Sequence, residues 1–277
     1  VIIQLLSDLH IDHHADDGRA FLESLDPSGV DVLVVAGDLH TGKFGLINSL
    51  LSLCDIYPNV LFVCGNHDYY GWEPRQVHRR LGTCHRQVPN LYWLHNDTVT
   101  LDGVRFAGTP LWFPQPSNPL VMVDRFLIND FNLIKNFEPW VYDEHYKSMK
   151  FLREEGPKAD VIITHHVPSD LCASPRFKDS PLNHYFVTDM TKEIYRWQLK
   201  VWLFGHTHDR SWRRINKTLM VCNPLGYPHE EGPHIRGHYA ENCLINIGKD
   251  FSGNTTTEFA DDVPGEPNND KPTKVMY

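Results

Sequence analysis

Five short apolar runs punctuate the chain: "VIIQLLS" (1–7), "VDVLVVAG" (30–37), "NVLFVCG" (59–65), "ADVIITH" (159–165) and "VWLFGH" (201–206). Their hydrophobicity is continuous rather than alternating, which marks strands buried on both faces. Helix-length stretches at 16–26 and 44–57 separate the first three. This β-α-β-α-β rhythm predicts an α/β fold with a largely parallel sheet and helices outside it. A second style follows. "NLYWLHN", "TVTLDG" and "VRFAGTPLW" between 90 and 112 read as short strands, with a hairpin turn at Asp102-Gly103. "SWRRI", "TLMVCN" and "CLINIG" repeat that style later. The expectation is therefore a mixed sheet or two packed sheets. Segment 113–138 is rich in Pro and Asn and should be irregular, while 139–154 should be helical. Residues 254–277 are polar and Pro/Asn-rich, which predicts a loosely draped or disordered tail after a domain spanning 1–253.

Composition narrows the function. The 277 residues carry a formal charge of −9 and are 41% hydrophobic. That balance argues against coating nucleic acid through bulk charge. No run reaches the ~18 apolar residues of a membrane span, and the N-terminus lacks the basic start of a secretion signal. The six cysteines are scattered without a C-x-x-C pair. Reduced thiols, a cytoplasmic location and no thiolate metal site are expected.

The chemistry lies just past the buried runs, where open α/β sheets bind ligands. The first run is followed by Asp8-Leu9-His10, the second by Asp38, the third by Asn66-His67-Asp68. The fourth ends in His165-His166 and the fifth in His206-Thr207-His208. An isolated Asp-x-His triplet is weak; Asp12-His13-His14 and Asp38-Leu39-His40 share its spacing. Five strand ends that all carry Asp, Asn or His are hard to explain by packing. Carboxylate, amide oxygen and imidazole suit Mn, Fe, Zn, Ni or Co. The groups outnumber the needs of one tetrahedral ion and suit two. Asp8 and His10 share a face of an extended segment, and the two oxygens of Asp38 could bridge. Two divalent ions, Asp8, Asp38 and a bridging hydroxide leave a net charge of about +1. Such a site draws in an anion and supplies a nucleophile, which points to phosphoester hydrolysis.

"DLH", "GD", "GNHD", "THH" and "GHTH", in that order over residues 1–225, resemble the calcineurin-like metallophosphoesterase superfamily. The resemblance implies two packed mixed sheets flanked by helices, with a dimetal site at the strand ends. It implies one ion held by Asp8, His10, Asp38 and His208, and another held by Asp38, Asn66, His165 and His206. His67 matches the family's catalytic histidine, and Asp68 is expected to orient its ring. The "THHVP" context suits His165, with His166 as the alternative ligand or as a substrate or supporting residue.

Other residues have two readings each. Tyr69, Tyr70 and Trp72 either flank the leaving group or pack on 113–131. The basic stretch 73–87 should be a helix that either contacts phosphate or nucleic acid or, the favoured reading, presents a solvated face. "TPLWFPQPSNP" at 109–119 suggests a rigid loop that could cap the site. For substrate, a small phosphodiester or nucleotide is favoured over nucleic acid, and no membrane partner is expected. The alternatives are a nuclease or protein phosphatase of the same superfamily, or a metal-binding scaffold without turnover.

Overall fold

The computed structural model describes residues 1–42, 44–117, 125–177, 180–230 and 239–248. The tail expected at 254–277, and its boundary at 253, lie outside the described residues. The five apolar runs form β1 (Ile2–Leu6), β2 (Val32–Ala36), β3 (Val60–Val63), β7 (Val161–Ile163) and β8 (Val201–Phe204). The second style supplies β4 (Leu91–Trp93), β5 (Asp97–Leu101), β6 (Val104–Gly108), β9 (Ser211–Ile215), β10 (Thr218–Cys222) and β11 (Leu244–Asn246).

These strands make two sheets, in the orders β11-β1-β2-β3-β4 and β5-β6-β7-β8-β10-β9. Strands β1 to β4 are parallel, with β11 antiparallel on the β1 edge. In the second sheet β6, β7, β8 and β10 are parallel, and the antiparallel β5 and β9 close its edges. Both sheets are thus mixed, as the two styles of strand imply. The first three short strands do not stay together, however. β4 pairs with β3, and the β5–β6 hairpin belongs to the other sheet. Asn96 makes the switch in a left-handed conformation (φ 56°). Asp102 and Gly103 both have positive φ, at 48° and 80°, as a two-residue type I′ hairpin turn requires.

Continuous apolarity has a direct cause. On β2, Val32, Val34 and Ala36 join the core between the sheets. Leu33 and Val35 join the core beneath the helices. Helix α1 (Arg19–Ser24) is short and has no buried residue. Helix α2 (Gly45–Ile56) buries Leu46, Leu50 and Leu53 at helical spacing, and α3 (Pro74–Gln87) buries Val77 and Leu81. Arg75, Arg79 and Arg86 of α3 face solvent. After the short turn α4 (Asp130–Leu133) comes α5 (Phe137–Glu155), and α6 (Thr191–Arg196) covers the second sheet with Ile194. Each fully buried Val or Leu contributes about 1.5–3 kcal/mol, so this sandwich can hold strained loops at its rim. Among the described residues no helix is long and apolar enough to cross a membrane.

The stretch expected as a cap is core in its described part. Leu111, Trp112 and Phe113 are fully buried. Trp112 packs against Tyr69, Phe137 and Trp140. Large aromatic rings here gain more from burial than a loop over a polar cleft could offer. Residues 118–124 lie outside the described set.

Candidate metal centre

At the carboxyl edge of both sheets the chain leaves each strand through a crowded turn. Gly37, Gly65 and Gly205 precede Asp38, Asn66 and His206, and each makes room for another functional side chain. A Cβ on Gly65 would lie 2.1 Å from Asp38 Oδ1, and one on Gly37 2.3 Å from His165 Nδ1. One on Gly205 would lie 2.8 Å from Asp8 Oδ2. Asp8, His10, Asp38, His206 and His208 all have positive φ, between 43° and 70°. Left-handed backbone costs a non-glycine residue about 1–2 kcal/mol, and such strain gathers at functional sites. Local hydrogen bonds hold it. Asp8 N–H donates to Gly37 O, and His10 N–H donates to Asp38 O, both at 3.0 Å. His206 N–H donates to Asp8 Oδ1 at 2.8 Å, tying one sheet to the other.

These turns bring seven side chains into one buried cluster. His10 Nε2 lies 3.0 Å from His208 Nε2 and 3.7 Å from Asp38 Oδ2. His208 Nε2 lies 3.8 Å from Asp8 Oδ1. On the other side of Asp38, His165 Nε2 is 3.5 Å from Oδ2, 3.0 Å from Asn66 Oδ1 and 3.2 Å from His206 Nδ1. Asp8, His10 and His208 form one group with the spacing to hold an ion; Asp38, His165 and His206 form another. Asp38 stands between them. His166, the neighbour of His165, points elsewhere. Its Nδ1 is 3.1 Å from Pro110 O and its ring packs 4.7 Å from Trp112.

Hydrogen-bond chemistry tests whether cations fit. His165 Nδ1 donates to Ala36 O at 2.9 Å, so the neutral ring turns the lone pair of Nε2 inward. Asn66 Nδ2 donates to Asp130 at 2.8 Å and to Tyr70 Oη at 3.2 Å, which turns its carbonyl oxygen toward His165. His208 Nδ1 faces both oxygens of Glu230, at 2.9 and 3.0 Å, so its Nε2 lone pair faces His10. Lone pair therefore meets lone pair between His165 and Asn66, and His208 turns its Nε2 lone pair toward His10, whose Nδ1 has no partner. Between His165 Nε2 and Asn66 Oδ1 a positive charge must lie, either a proton or a cation. Without a cation the protein uses protons. Burial alone would depress His165, but Asp38 and Asp8 outweigh it and push its pKa up to about 9. His208 is raised as well, against burial, by Glu230 and Asp8. Burial holds His10 and His206 well below the usual imidazole value, leaving them neutral. Burial opposes ionisation of Asp38, yet His165 and His67 hold it well below the carboxylate range. A donor set of imidazole, carboxylate and amide oxygen fits two borderline divalent ions.

Several supporting residues carry no motif. Glu230 fixes the tautomer of His208, a frequent arrangement behind metal-bound imidazoles. Asp130 aims Asn66; burial pushes its pKa up to about 6 against hydrogen bonds from Asn66 and Tyr70. Tyr227 stacks on His10 (4.2 Å, 29°), and its hydroxyl lies 3.0 Å from His67 Nε2. Its N–H donates to Glu230, so one turn places both residues. An acidic residue in the Pro/Gly-rich "NPLGYPHE" loop was the available signal in the sequence.

Asp68 departs from expectation. Its carboxylate accepts four backbone N–H groups, from Asp38, Leu39, His40 and Gly65, at 2.7–3.2 Å. Both oxygens are thereby turned toward the Asp38 loop, and Nδ1 of His67 has no hydrogen-bond partner. Asp68 fixes the loop that carries Asp38; it does not orient His67. His67 instead anchors through its backbone, which donates to Asp38 Oδ1 at 2.8 Å. The aromatic trio divides. Tyr69 and Trp72 are core residues, whereas Tyr70 packs 4.1 Å from the His67 ring and lines the cleft. That cleft has a volume of about 290 Å³ and opens over Asp38, Asn66, His67, His206 and His208.

Comparison with known proteins agrees with this geometry. A sequence model of the calcineurin-like phosphoesterase family matches residues 3–210. An uncharacterized protein, L509, of Acanthamoeba polyphaga mimivirus is 28% identical over 260 residues, 83% of this chain and 92% of that one. The phosphopantetheinyl hydrolase of Mycobacterium tuberculosis shares the fold, with a TM-score of 0.68 at 17% identity. That match covers 82% of this chain and 89% of the other.

Proposed function

The chain belongs to the calcineurin-like phosphoesterase family, and on that premise we propose that it is a dimetal-dependent hydrolase of small phosphoesters. The observation that carries this reading is that acceptors are turned inward on both sides of Asp38, His165 Nε2 against Asn66 Oδ1 on one side and His208 Nε2 on the other. Asp8, His10, Asp38 and His208 would hold one ion; Asp38, Asn66, His165 and His206 would hold the other. Divalent ions supply Lewis acidity there: they lower the pKa of water and neutralise charge on a phosphoryl group.

The remaining work falls to the chain. Asp38 links the two halves and, through the N–H of His67, fixes where that residue stands. His67 presents Nε2 to the cleft, and the Tyr227 hydroxyl 3.0 Å away marks where a substrate oxygen could lie. From there His67 would stabilise a phosphoryl oxygen or protonate the departing alkoxide, a role worth roughly 10²–10⁴ in rate. Glu230 and Asp130 hold His208 and Asn66 in their aimed conformations. The formal charge of −9 supports a small phosphodiester or nucleotide over nucleic acid, and manganese is the first metal to try.

A substrate panel tests the reading: monoesters, linear diesters, cyclic nucleotides, and single- and double-stranded DNA, each with Mn, Ni, Zn or Mg. Metal-dependent hydrolysis of a small ester is expected. Failure to hydrolyse any of them with two ions bound would make the protein a silent metal-binding scaffold. Steeply salt-dependent DNA cleavage would make it a nuclease.

A further inference from the structure

Beside the metal cleft lies a second, smaller cavity of about 110 Å³. Val167, Ala173, Phe177, Leu182, Phe186 and Val187 give it a carbon lining. Polar side chains of the same wall turn to the loop backbone. Ser180 Oγ accepts from Leu182 N–H, and the Asn183 amide donates to Phe177 O. The two cavities share Phe177, Phe186, His206 and Thr207 as common walls. Phe186 stacks on the His206 ring at 4.6 Å and 26°. A group in the small cavity would thus lie one imidazole away from the proposed ion site. Phe177 stands between the two spaces and is 49% exposed.

We propose that this cavity is a specificity subsite that receives the apolar part of the phosphoester, a short alkyl chain or a single small ring. The proposal rests on the phosphoesterase reading above and narrows its substrate class. Size supports it. An engineered apolar cavity of roughly 150 Å³ holds benzene; this one is somewhat smaller and cannot take a nucleoside. Apolar lining supports it too, because ligand pockets pair a carbon surface with a few aimed polar groups. Burying one methylene should tighten binding about fourfold.

The test uses the full chain loaded with Mn²⁺ and a series of straight-chain alkylphosphonates, which bind without turning over. Calorimetry should show Kd falling about fourfold per carbon until the cavity fills. Ala173→Leu should end that gain at a shorter chain, and Leu182→Ala should extend it to a longer one. A Kd that ignores chain length would overturn the subsite and leave the phosphoesterase reading standing. So would an Ala173→Leu variant that melts at higher temperature with the same chain-length profile, since the cavity would then be a packing void. If no phosphonate binds the metal-loaded protein, both the subsite and the phosphoesterase reading fail.

Discussion

Behind the metal edge, α3, α5 and the end of β4 enclose a second group of polar residues: Tyr69, His78, His95, Glu144 and Lys147. It resembles the candidate metal centre in composition, with imidazoles and a carboxylate packed among aromatic rings. Its contacts are of another kind. Tyr69 Oη lies 3.0 Å from His78 Nε2, and His95 Nε2 lies 2.9 Å from Glu144 Oε2. Lys147 Nζ adds a contact to Glu144 at 2.8 Å. Burial would raise Glu144, but His95 and Lys147 bring it down to about 2. Burial pushes His78 to about 3, so it stays neutral beside the phenol. Here donors meet acceptors and a cation already faces the carboxylate. At the sheet edge, His165 Nε2 and Asn66 Oδ1 face each other as acceptors. The difference teaches that a count of histidines and acids does not identify a metal site. What identifies it is whether neighbouring groups have already fixed each proton on the far side of the ring, as Ala36 and Glu230 do for His165 and His208.

The comparison can be broken by mutation. Asp38→Asn should have the largest effect, because one carboxylate serves both halves. Hydrolysis should fall to background, and bound metal should fall with it in elemental analysis. His67→Ala should keep both ions yet lower kcat by roughly 10²–10⁴, most for poor leaving groups. If elemental analysis shows an ion lost in that variant, His67 is a ligand rather than an acid. Glu230→Ala should weaken metal affinity by about 10–100-fold, read by competition with a chelator, and Glu230→Gln should recover part of it. The second cluster should answer differently. Glu144→Gln should leave metal content unchanged and cost about 2 kcal/mol of stability, since Lys147 keeps Asp143 at 2.7 Å. The sign follows from a folded pKa depressed below 4.5. The contribution is complete above that pH and is lost as pH falls toward 2. A denaturant melt of wild type and variant between pH 6 and pH 3 should show the gap closing as the pH drops.

How much of this was legible in the sequence follows the same division. Apolar runs that end in Asp, Asn or His reveal themselves, because strand burial and ligand position are both local. The order of the two sheets is less visible: nothing in 90–112 says that β4 joins one sheet and β5–β6 the other, since the switch is one left-handed Asn96. Asp68 misled for a physical reason. Adjacent to His67 in sequence, its side chain turns back to amides about thirty residues earlier. Glu230, Asp130 and Tyr227 act from irregular loops where no periodicity aims a side chain. The "THHVP" context leans to His165 over the adjacent His166, and their hydrogen bonds, to Ala36 and Pro110, turn the two rings apart.

The central claim is that the edge cluster holds two ions, linked by Asp38, and the other cluster none. Equilibrium dialysis against Mn²⁺ followed by elemental analysis tests it most directly. The account predicts two ions per chain in wild type and in His166→Ala, and loss of metal in His165→Ala and Asp38→Asn. One ion per chain in wild type, or metal lost in His166→Ala and retained in His165→Ala, would contradict it.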